Sequence, residues 1–396
     1  MNKMTVRDIE VTSRRVLVRV DFNVPMDAKT GAITDDNRIR ASLPTIKYLL
    51  EHNAKVILLS HLGRPKGKVA YDMRLAPVAR RLSEILGKMV KVAADCVGPG
   101  AEKAVAVLKS GDVLMLENLR FHPEEEKGDE GFAMALASMG DIYVNDAFGT
   151  SHRAHASISG ITHYLSAVAG FLLEKEINTL GGLLDSPAHP FMALFGGAKV
   201  SDKVAMLKNI MGKVDYLLIG GGMAATFLKA KSYEVGASPV EADIINIAGE
   251  LIKQAEKSGL RLLLPVDVMV ADKIDSSAMG KVVPVDAVPP DKMIVDIGPR
   301  TIALFSQELE KSRTVFWNGP MGVEEIPQFA QGTHALAKLL PRLKAATIVG
   351  GGSTAEVITA LGLTDKITFV STGGGASLEF LGGVVLPGVA ALRDKM

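Results

Sequence analysis

The chain has 396 residues, room for two or three domains, and its hydrophobic content of 47% excludes a disordered polymer. A formal net charge of +1 gives no reason to expect nucleic acid or an anionic membrane surface as the main partner. The single cysteine, Cys96, excludes an internal disulfide framework and a cysteine-rich zinc site, and suits a reducing cytoplasm. Met1 to Arg7 runs straight into charged residues, so no secretion signal is expected, and apolar stretches such as Tyr164–Leu173 fall short of the roughly 20 residues that span a bilayer.

Branched aliphatic runs predict strands at Val16–Asp21, Lys55–Ser60, Asp112–Leu116 and Asp141–Asn145. Further along they predict Phe191–Phe195, Asp215–Ile219, Leu260–Pro265, Thr314–Trp317, Ala346–Val349 and Ile367–Val370. Most are continuously apolar, as parallel strands covered on both faces require. Helical patterns lie between them, for example at Leu43–Glu51, Leu75–Leu86, Phe132–Ser138 and Ala242–Lys257. The fold class is therefore α/β, with doubly wound, Rossmann-like parallel sheets and ligand sites at the carboxyl ends of strands. So many strands overfill one sheet, which predicts two lobes. The segment from Phe171 reads as a hinge helix ending at Gly181-Gly182. The predicted division is 1–170, 171–382, and a tail 383–396.

Twelve of the 17 arginines precede residue 171. Arginine suits carboxylates and phosphates, although the count alone does not separate that from chance. Carboxyl ends of parallel strands converge, so His61, Arg64, Arg120 and Arg153 are candidates for one basic pocket holding a small polyanion. Asp21-Phe22-Asn23 and Arg38 belong to the same region. His152 and His155 have a metal-compatible spacing but lack an evident third ligand. Glu124-Glu125-Glu126 reads as a solvated turn.

The second half carries the glycine clusters Gly196-Gly197, Gly220–Gly222, Gly350–Gly352 and Gly373–Gly375, each after a predicted strand and before a helix. Any one is explained by a tight turn; four at one sheet edge favour a polyphosphate or nucleotide site. No P-loop pattern is present, and two loose dinucleotide fingerprints, at Gly220 and Gly350, are weak. Lys199 and Lys203, four apart at the start of a helix predicted over Val200–Met211, would share a face and repel unless an anion lies between them. A dinucleotide-dependent oxidoreductase and a two-lobed solute-binding protein are the competing readings. The lysine pair disfavours the first; the nucleotide-like site and lack of a signal disfavour the second.

In order, RVDFNVP (19–25), SHLGRP (60–65), ENLRF (117–121), NDAFGTSHRAHAS (145–157) and GGAKVSDK (196–203) resemble phosphoglycerate kinase. The resemblance continues through IGGGMA (219–224), DIGPRT (296–301), WNGPMGV (317–323) and STGGGAS (371–377). It implies reversible phosphoryl transfer between 1,3-bisphosphoglycerate and ADP, giving 3-phosphoglycerate and ATP in glycolysis. It further implies a cytoplasmic monomer whose lobes close on their substrates, and a tail packed back on the N-terminal lobe. On the resemblance, Asp21, Phe22, Asn23, Arg38, His61, Leu62, Gly63, Arg64, Arg120 and Arg153 bind the acid substrate. Lys203, Gly298, Asn318, Pro320, Glu325, Gly351, Gly352, Ser353 and Thr354 bind the nucleotide, with Val323 on the same pocket segment. Arg38, Lys199 and Gly374 act on the phosphoryl group in flight.

Two positions depart from the family pattern. Ser353 stands where an aspartate usually takes the nucleotide's Mg2+, so the metal is expected to rest mainly on phosphates and water, with Glu356 a further candidate. Magnesium dependence should be ordinary and metal selectivity weaker. Glu324 replaces the usual phenylalanine, and nothing in the sequence accounts for it.

Overall fold

Most of the apolar runs become strands that are buried along their length. The structure, a computed structural model, describes residues 2–395, so Met1 and Met396 of the first and last predicted segments lie outside it. The chain divides into two compact units, one formed by residues up to Asn178 together with those from Val385 onward, the other by Thr179–Val384.

The first unit holds a six-stranded parallel sheet of β1 (Arg15–Val20), β2 (Lys55–Leu59), β3 (Val90–Val92), β4 (Val113–Met115), β5 (Ile142–Asp146) and β6 (Ser166–Ala169). Their order is β3-β4-β2-β1-β5-β6. Val16, Val18 and Val20 point into a core that takes Ile39, Ile46 and Leu49 from the helix Asn37–Glu51, and Val78 and Leu82 from Ala76–Leu86. The chain leaves β1 towards β2 and later returns to its other side with β5, so β1 lies beside a topological switch point.

The second unit repeats this plan with β7 (Phe191–Phe195), β8 (Tyr216–Ile219), β9 (Arg261–Leu263), β13 (Thr314–Asn318), β14 (Ala346–Gly350) and β15 (Phe369–Val370), in the order β15-β14-β13-β7-β8-β9. Here the switch falls between β7 and β13. The remaining strands, β10 (Asp267–Ala271), β11 (Lys281–Pro284) and β12 (Met293–Ile297), form a separate antiparallel sheet that the sequence reading does not anticipate. Val268, Val270, Val283 and Ile294 pack there with Ala225 and Leu228 of the helix Met223–Ala230.

Three local expectations are corrected. The helix from Phe171 does not end at Gly181-Gly182 but continues to Asp185, because Leu180 and Leu183 bury on either side of the glycines. The helix expected from Val200 starts later: a 3-10 turn covers Ser201–Lys203 and the α-helix runs from Val204 to Ile210. Glu124–Glu126 is no solvated turn. It lies in the helix Pro123–Lys127, with Glu125 wholly buried.

Val385 and the residues after it close on the first unit. The Met4 N–H donates to the Arg393 carbonyl at 2.8 Å, Asn145 Nδ2 to the Gly388 carbonyl at 2.9 Å, and Lys3 Nζ to the Leu392 carbonyl at 2.8 Å.

Each unit also has a buried aspartate at a helix start. Asp146 accepts from the Leu172 N–H at 2.9 Å, and Asp296 from the Gly332 and Ile297 N–H groups at 2.9 and 2.8 Å. Burial pushes both carboxyls up to about 7, the backbone donors opposing it. A raised pKa means that the folded state holds a proton the unfolded state has lost, so the stability each aspartic acid contributes is present below 3.8 and falls as pH rises to about 7. His61 and His155, held low by burial, act in the opposite sense over part of this window, so the signature is differential. Measured by urea unfolding, wild type should lose stability relative to Asp296→Asn as pH rises across that window, by on the order of 4 kcal/mol. A pH-independent difference would refute the assignment.

Candidate active site

In the first unit the site is built on the carboxyl ends of β1 and β2. Arg19 opposes Leu59 and Asn145 in the registers of the two neighbouring strands. Alternation along β1 turns Arg19 away from the valine face, and it is 1% exposed. Arg19 Nε donates to Ser157 Oγ at 2.9 Å, and Ser157 in turn donates its hydroxyl and N–H to the Glu125 carboxylate at 2.6 and 2.9 Å. Tyr143 donates its hydroxyl to the Ser157 carbonyl at 2.7 Å. Burial raises Glu125, and the nearby Arg19 charge and the Ser157 donors work against it. A guanidinium is thus fixed beneath the pocket with its charge balanced from behind.

Above it, Asp21 takes Arg38 Nη1 at 2.5 Å. Burial would raise the Asp21 carboxyl, but the charges of Arg38, His61 and Arg19 hold it below the usual range. His61 Nδ1 lies 3.3 Å from Arg19 Nη2 and 4.0 Å from Asp21 Oδ1. Burial keeps this imidazole well below its ordinary pKa, with Arg19, Arg120 and Arg38 adding to the effect against Asp21. His61 is therefore neutral at pH 7 and can accept or donate without adding charge.

The Phe22 N–H donates to Ser60 Oγ at 3.0 Å, and Asn23 Oδ1 accepts the Gly63 N–H at 2.8 Å, tying the loops after β1 and β2 together. Leu62 is buried, its carbonyl taken by Asn118 Nδ2 at 2.8 Å. Arg120 Nη1 donates to the Gly63 carbonyl at 3.0 Å, and its Nε lies 3.2 Å from Glu126 without hydrogen-bond geometry. Arg64 and Arg153 are exposed. The structure thus draws Asp21, Arg38, His61 and Arg120 into one electrostatic cluster, and adds Arg19, Glu125 and Ser157, which the sequence reading did not single out. Arg153 borders the cluster through His155, whose pKa burial lowers to about 4 with further help from Arg19, Arg120 and Arg153.

In the second unit, Phe195, Asn318 and Gly350 are level in the register of β7, β13 and β14, so the loops after these strands meet. They meet closely: a Cβ on Gly196 would lie 2.0 Å from the Pro320 carbonyl oxygen, and the Gly197 N–H donates to that oxygen at 2.8 Å. Part of the glycine excess is therefore backbone packing at the switch point, needing no ligand. Gly351 differs: its φ of +91° needs glycine, and it turns the chain into the helix Gly352–Ala360. Gly298 is likewise explained locally, by the Asp267 carboxylate that caps the following helix and would sit 2.3 Å from any Cβ there. Gly374, at φ +51°, opens into free space before the short helix Gly375–Leu381.

Lys203 is 9% exposed and donates Nζ to Asn318 Oδ1 at 2.7 Å; burial lowers its pKa. Asn318 is 2% exposed, and its Nδ2 has no hydrogen-bond partner among the described residues. That donor faces the turn at Gly351, where a Cβ would come within 3.0 Å of it. Thr354 is buried and spends its hydroxyl on the Gly319 N–H at 2.8 Å, which makes its visible role structural. Gly352, Ser353 and Glu325 are exposed and Pro320 is half-buried. Lys199 does not share a helical face with Lys203. It lies exposed in the irregular loop after Gly197, because the helix has not yet begun.

Val323 anchors its segment by donating its N–H to the Val295 carbonyl at 2.9 Å. The next residue, Glu324, turns its carboxyl group to the Ser353 hydroxyl. Burial raises this carboxyl, the serine opposes that, and Glu325 and Glu356 add to it. Among the described residues, the only cluster with metal-ligand spacing of His, Cys and carboxylates is Asp95, Cys96 and His122 rather than one with His152 and His155. Burial drives the Cys96 thiol up, away from thiolate.

A cluster of arginines at the strand ends of one unit, and a buried lysine with an unused amide donor beside a glycine turn in the other, suit small phosphorylated molecules. A family model for phosphoglycerate kinase matches residues 6–384. The phosphoglycerate kinase of Moorella thermoacetica is 57% identical over the whole of both chains, and that of Roseiflexus castenholzii 55%. Solved phosphoglycerate kinases from Coxiella burnetii and Pyrococcus horikoshii superpose with TM-scores of 0.86 and 0.87 at 41% and 35% identity, covering 98% of each chain. The chain belongs to the phosphoglycerate kinase family. It is a phosphotransferase of glycolysis, working between 1,3-bisphosphoglycerate and ADP.

Proposed function

We propose that the first unit binds the three-carbon acid through Asp21, Asn23, Arg38, His61, Arg64, Arg120 and Arg153, with Phe22, Leu62 and Gly63 shaping the loops, and that the second unit binds the nucleotide. The observation that carries the nucleotide half is the buried Asn318 amide, fixed by Lys203 and left with a free donor at the glycine turn. A buried donor without a partner costs about 1–3 kcal/mol, which an arriving phosphate or ribose oxygen would recover. Lys203, Gly298, Asn318, Pro320, Glu325 and Gly351–Thr354 surround the nucleotide in this reading.

In the forward direction the bond between the acyl oxygen and phosphorus breaks, and a new one forms from a β-phosphate oxygen of ADP. The acid leaves as a carboxylate, so no general base is required. Arg38, Lys199 and the Gly374 backbone N–H neutralise charge on the phosphoryl oxygens as it passes. His61, neutral and buried, orients the acid. Closure of the lobes on their substrates would exclude water from the acyl phosphate.

Mg2+ would arrive with the nucleotide and shield its phosphates. Ser353 with the Glu324, Glu325 and Glu356 carboxyls provides oxygen donors of the kind this ion takes, and Glu324 Oε2 is buried without a hydrogen-bond partner. A monomer in the cytoplasm with small-molecule partners alone, without nucleic acid or membrane, completes the reading. The near-neutral charge gives no reason to expect nucleic acid or an anionic membrane surface as partner.

A coupled assay should register ADP release that needs both ATP and 3-phosphoglycerate, with no response to NAD. Release that ignores 3-phosphoglycerate would overturn the assignment.

A further inference from the structure

The two positions at which the sequence departs from the family pattern face each other. Ser353 opens the helix Gly352–Ala360 with a neutral hydroxyl. Glu324 reaches it from a segment whose backbone is fixed on both sides: Met321 donates its N–H to Thr333 Oγ1 at 2.9 Å, Val323 donates to Val295, and Ile326 donates back to Val323 at 3.2 Å. The backbone that carries Glu324 is therefore held in place near the serine. One of its oxygens, Oε2, is buried without a hydrogen-bond partner, and among the described residues no lysine, arginine or histidine pairs with it. The neighbouring charges, Glu325 and Glu356, are of its own sign. On the far side of the same turn, the Asn318 Nδ2 donor also stands unused. Near this turn there are thus an orphaned donor for a phosphate oxygen, at Gly351, and an orphaned carboxylate oxygen that suits a cation, on the residue that nears Ser353.

We propose that Glu324 supplies the anionic ligand for the divalent ion of the bound nucleotide, with the Ser353 hydroxyl orienting its carboxylate. The carboxylate that would stand on the helix start has in effect been moved across the turn, and the two substitutions form one coupled exchange. A carboxylate of the Glu324 kind, confined near like charges, gains from a hard cation what it cannot gain from water. The inference rests on the nucleotide reading of this turn.

The test is calorimetric titration of the full chain with ADP, in chelator and again with excess Mg2+, for wild type, Glu324→Gln, Glu324→Phe and the double variant Glu324→Phe/Ser353→Asp. Wild type should bind ADP more tightly with Mg2+ than without. Glu324→Gln and Glu324→Phe should lose roughly tenfold of that gain, the size of one charge-assisted contact, while metal-free ADP binds as well or better. The double variant should recover the gain, which a merely structural role for Glu324 would not allow. Electron paramagnetic resonance of Mn2+ with ADP should follow the same order. A gain unchanged in Glu324→Gln overturns the proposal while leaving the nucleotide site intact. Failure of wild type to bind ADP under either condition overturns both.

Discussion

Replacing Arg38 with alanine should lower kcat by roughly a hundred- to a thousandfold while the dissociation constant for 3-phosphoglycerate changes much less. The guanidinium has five donors, and Asp21 is bonded to one of its nitrogens, so the carboxylate aims the fork without exhausting it. In the proposed site the acid substrate has other cations to hold it, among them Arg64, Arg120 and Arg153, whereas charge on a phosphoryl group in transit needs a donor positioned for it. Arg38→Lys should not rescue, since an ammonium lacks the fork. Loss of Arg38 also leaves Asp21 buried with one fewer cation, so Asp21→Asn/Arg38→Ala separates lost stability from lost chemistry. Lys199→Ala should show the same division between kcat and binding. Near-normal turnover in both single variants would remove them from the mechanism.

The second large effect falls on stability. Arg19→Met keeps length and apolar bulk but removes the guanidinium that faces Ser157 and balances Glu125. Arg19 and Glu125 meet through Ser157 rather than directly, and stranding one charge of a buried pair costs at most about 3–5 kcal/mol. Urea unfolding of Arg19→Met should show a loss of up to that size, and adding Glu125→Gln should recover much of it by removing the stranded charge. If Arg19→Met alone were neutral, the network would be incidental. His61 offers an independent readout, because the charge that helps to hold it neutral would be gone. Its ring should titrate at higher pH in Arg19→Met, visible by NMR.

Four strands of the first sheet and all six of the second were legible because most are covered on two faces and announce themselves as uninterrupted aliphatic runs. Where burial is one-sided the signal fades. β3, Val-Lys-Val, buries only its first residue at the sheet edge, and β6, Ser-Ala-Val-Ala, is too short and small to stand out. β11 is mostly exposed, so the antiparallel sheet it joins left little trace. Lys199 was misplaced because an amphipathic pattern from Val200 says nothing about the 3-10 turn that delays the helix. Glu125 was misread for the reverse reason: three consecutive glutamates look solvated, yet a helix turns only one of them inward. Arg19 did carry a signal, a lone cation inside an otherwise aliphatic strand, which burial can tolerate only with a partner. Glu324 carried none, since the residue its carboxyl nears, Ser353, is distant in the sequence.

The first unit is discontinuous in sequence: its last segment follows the whole of the second unit along the chain. On the ribosome, therefore, the second unit has all its residues available before the first does. Synthesis proceeds at about 5–20 residues per second, so for many seconds the amino-terminal sheet waits without the strand-end contacts that Gly388 and Arg393 supply. A chain cut before Val385 would keep every residue of the second unit and lose those contacts from the first, leaving the first the more open to proteolysis.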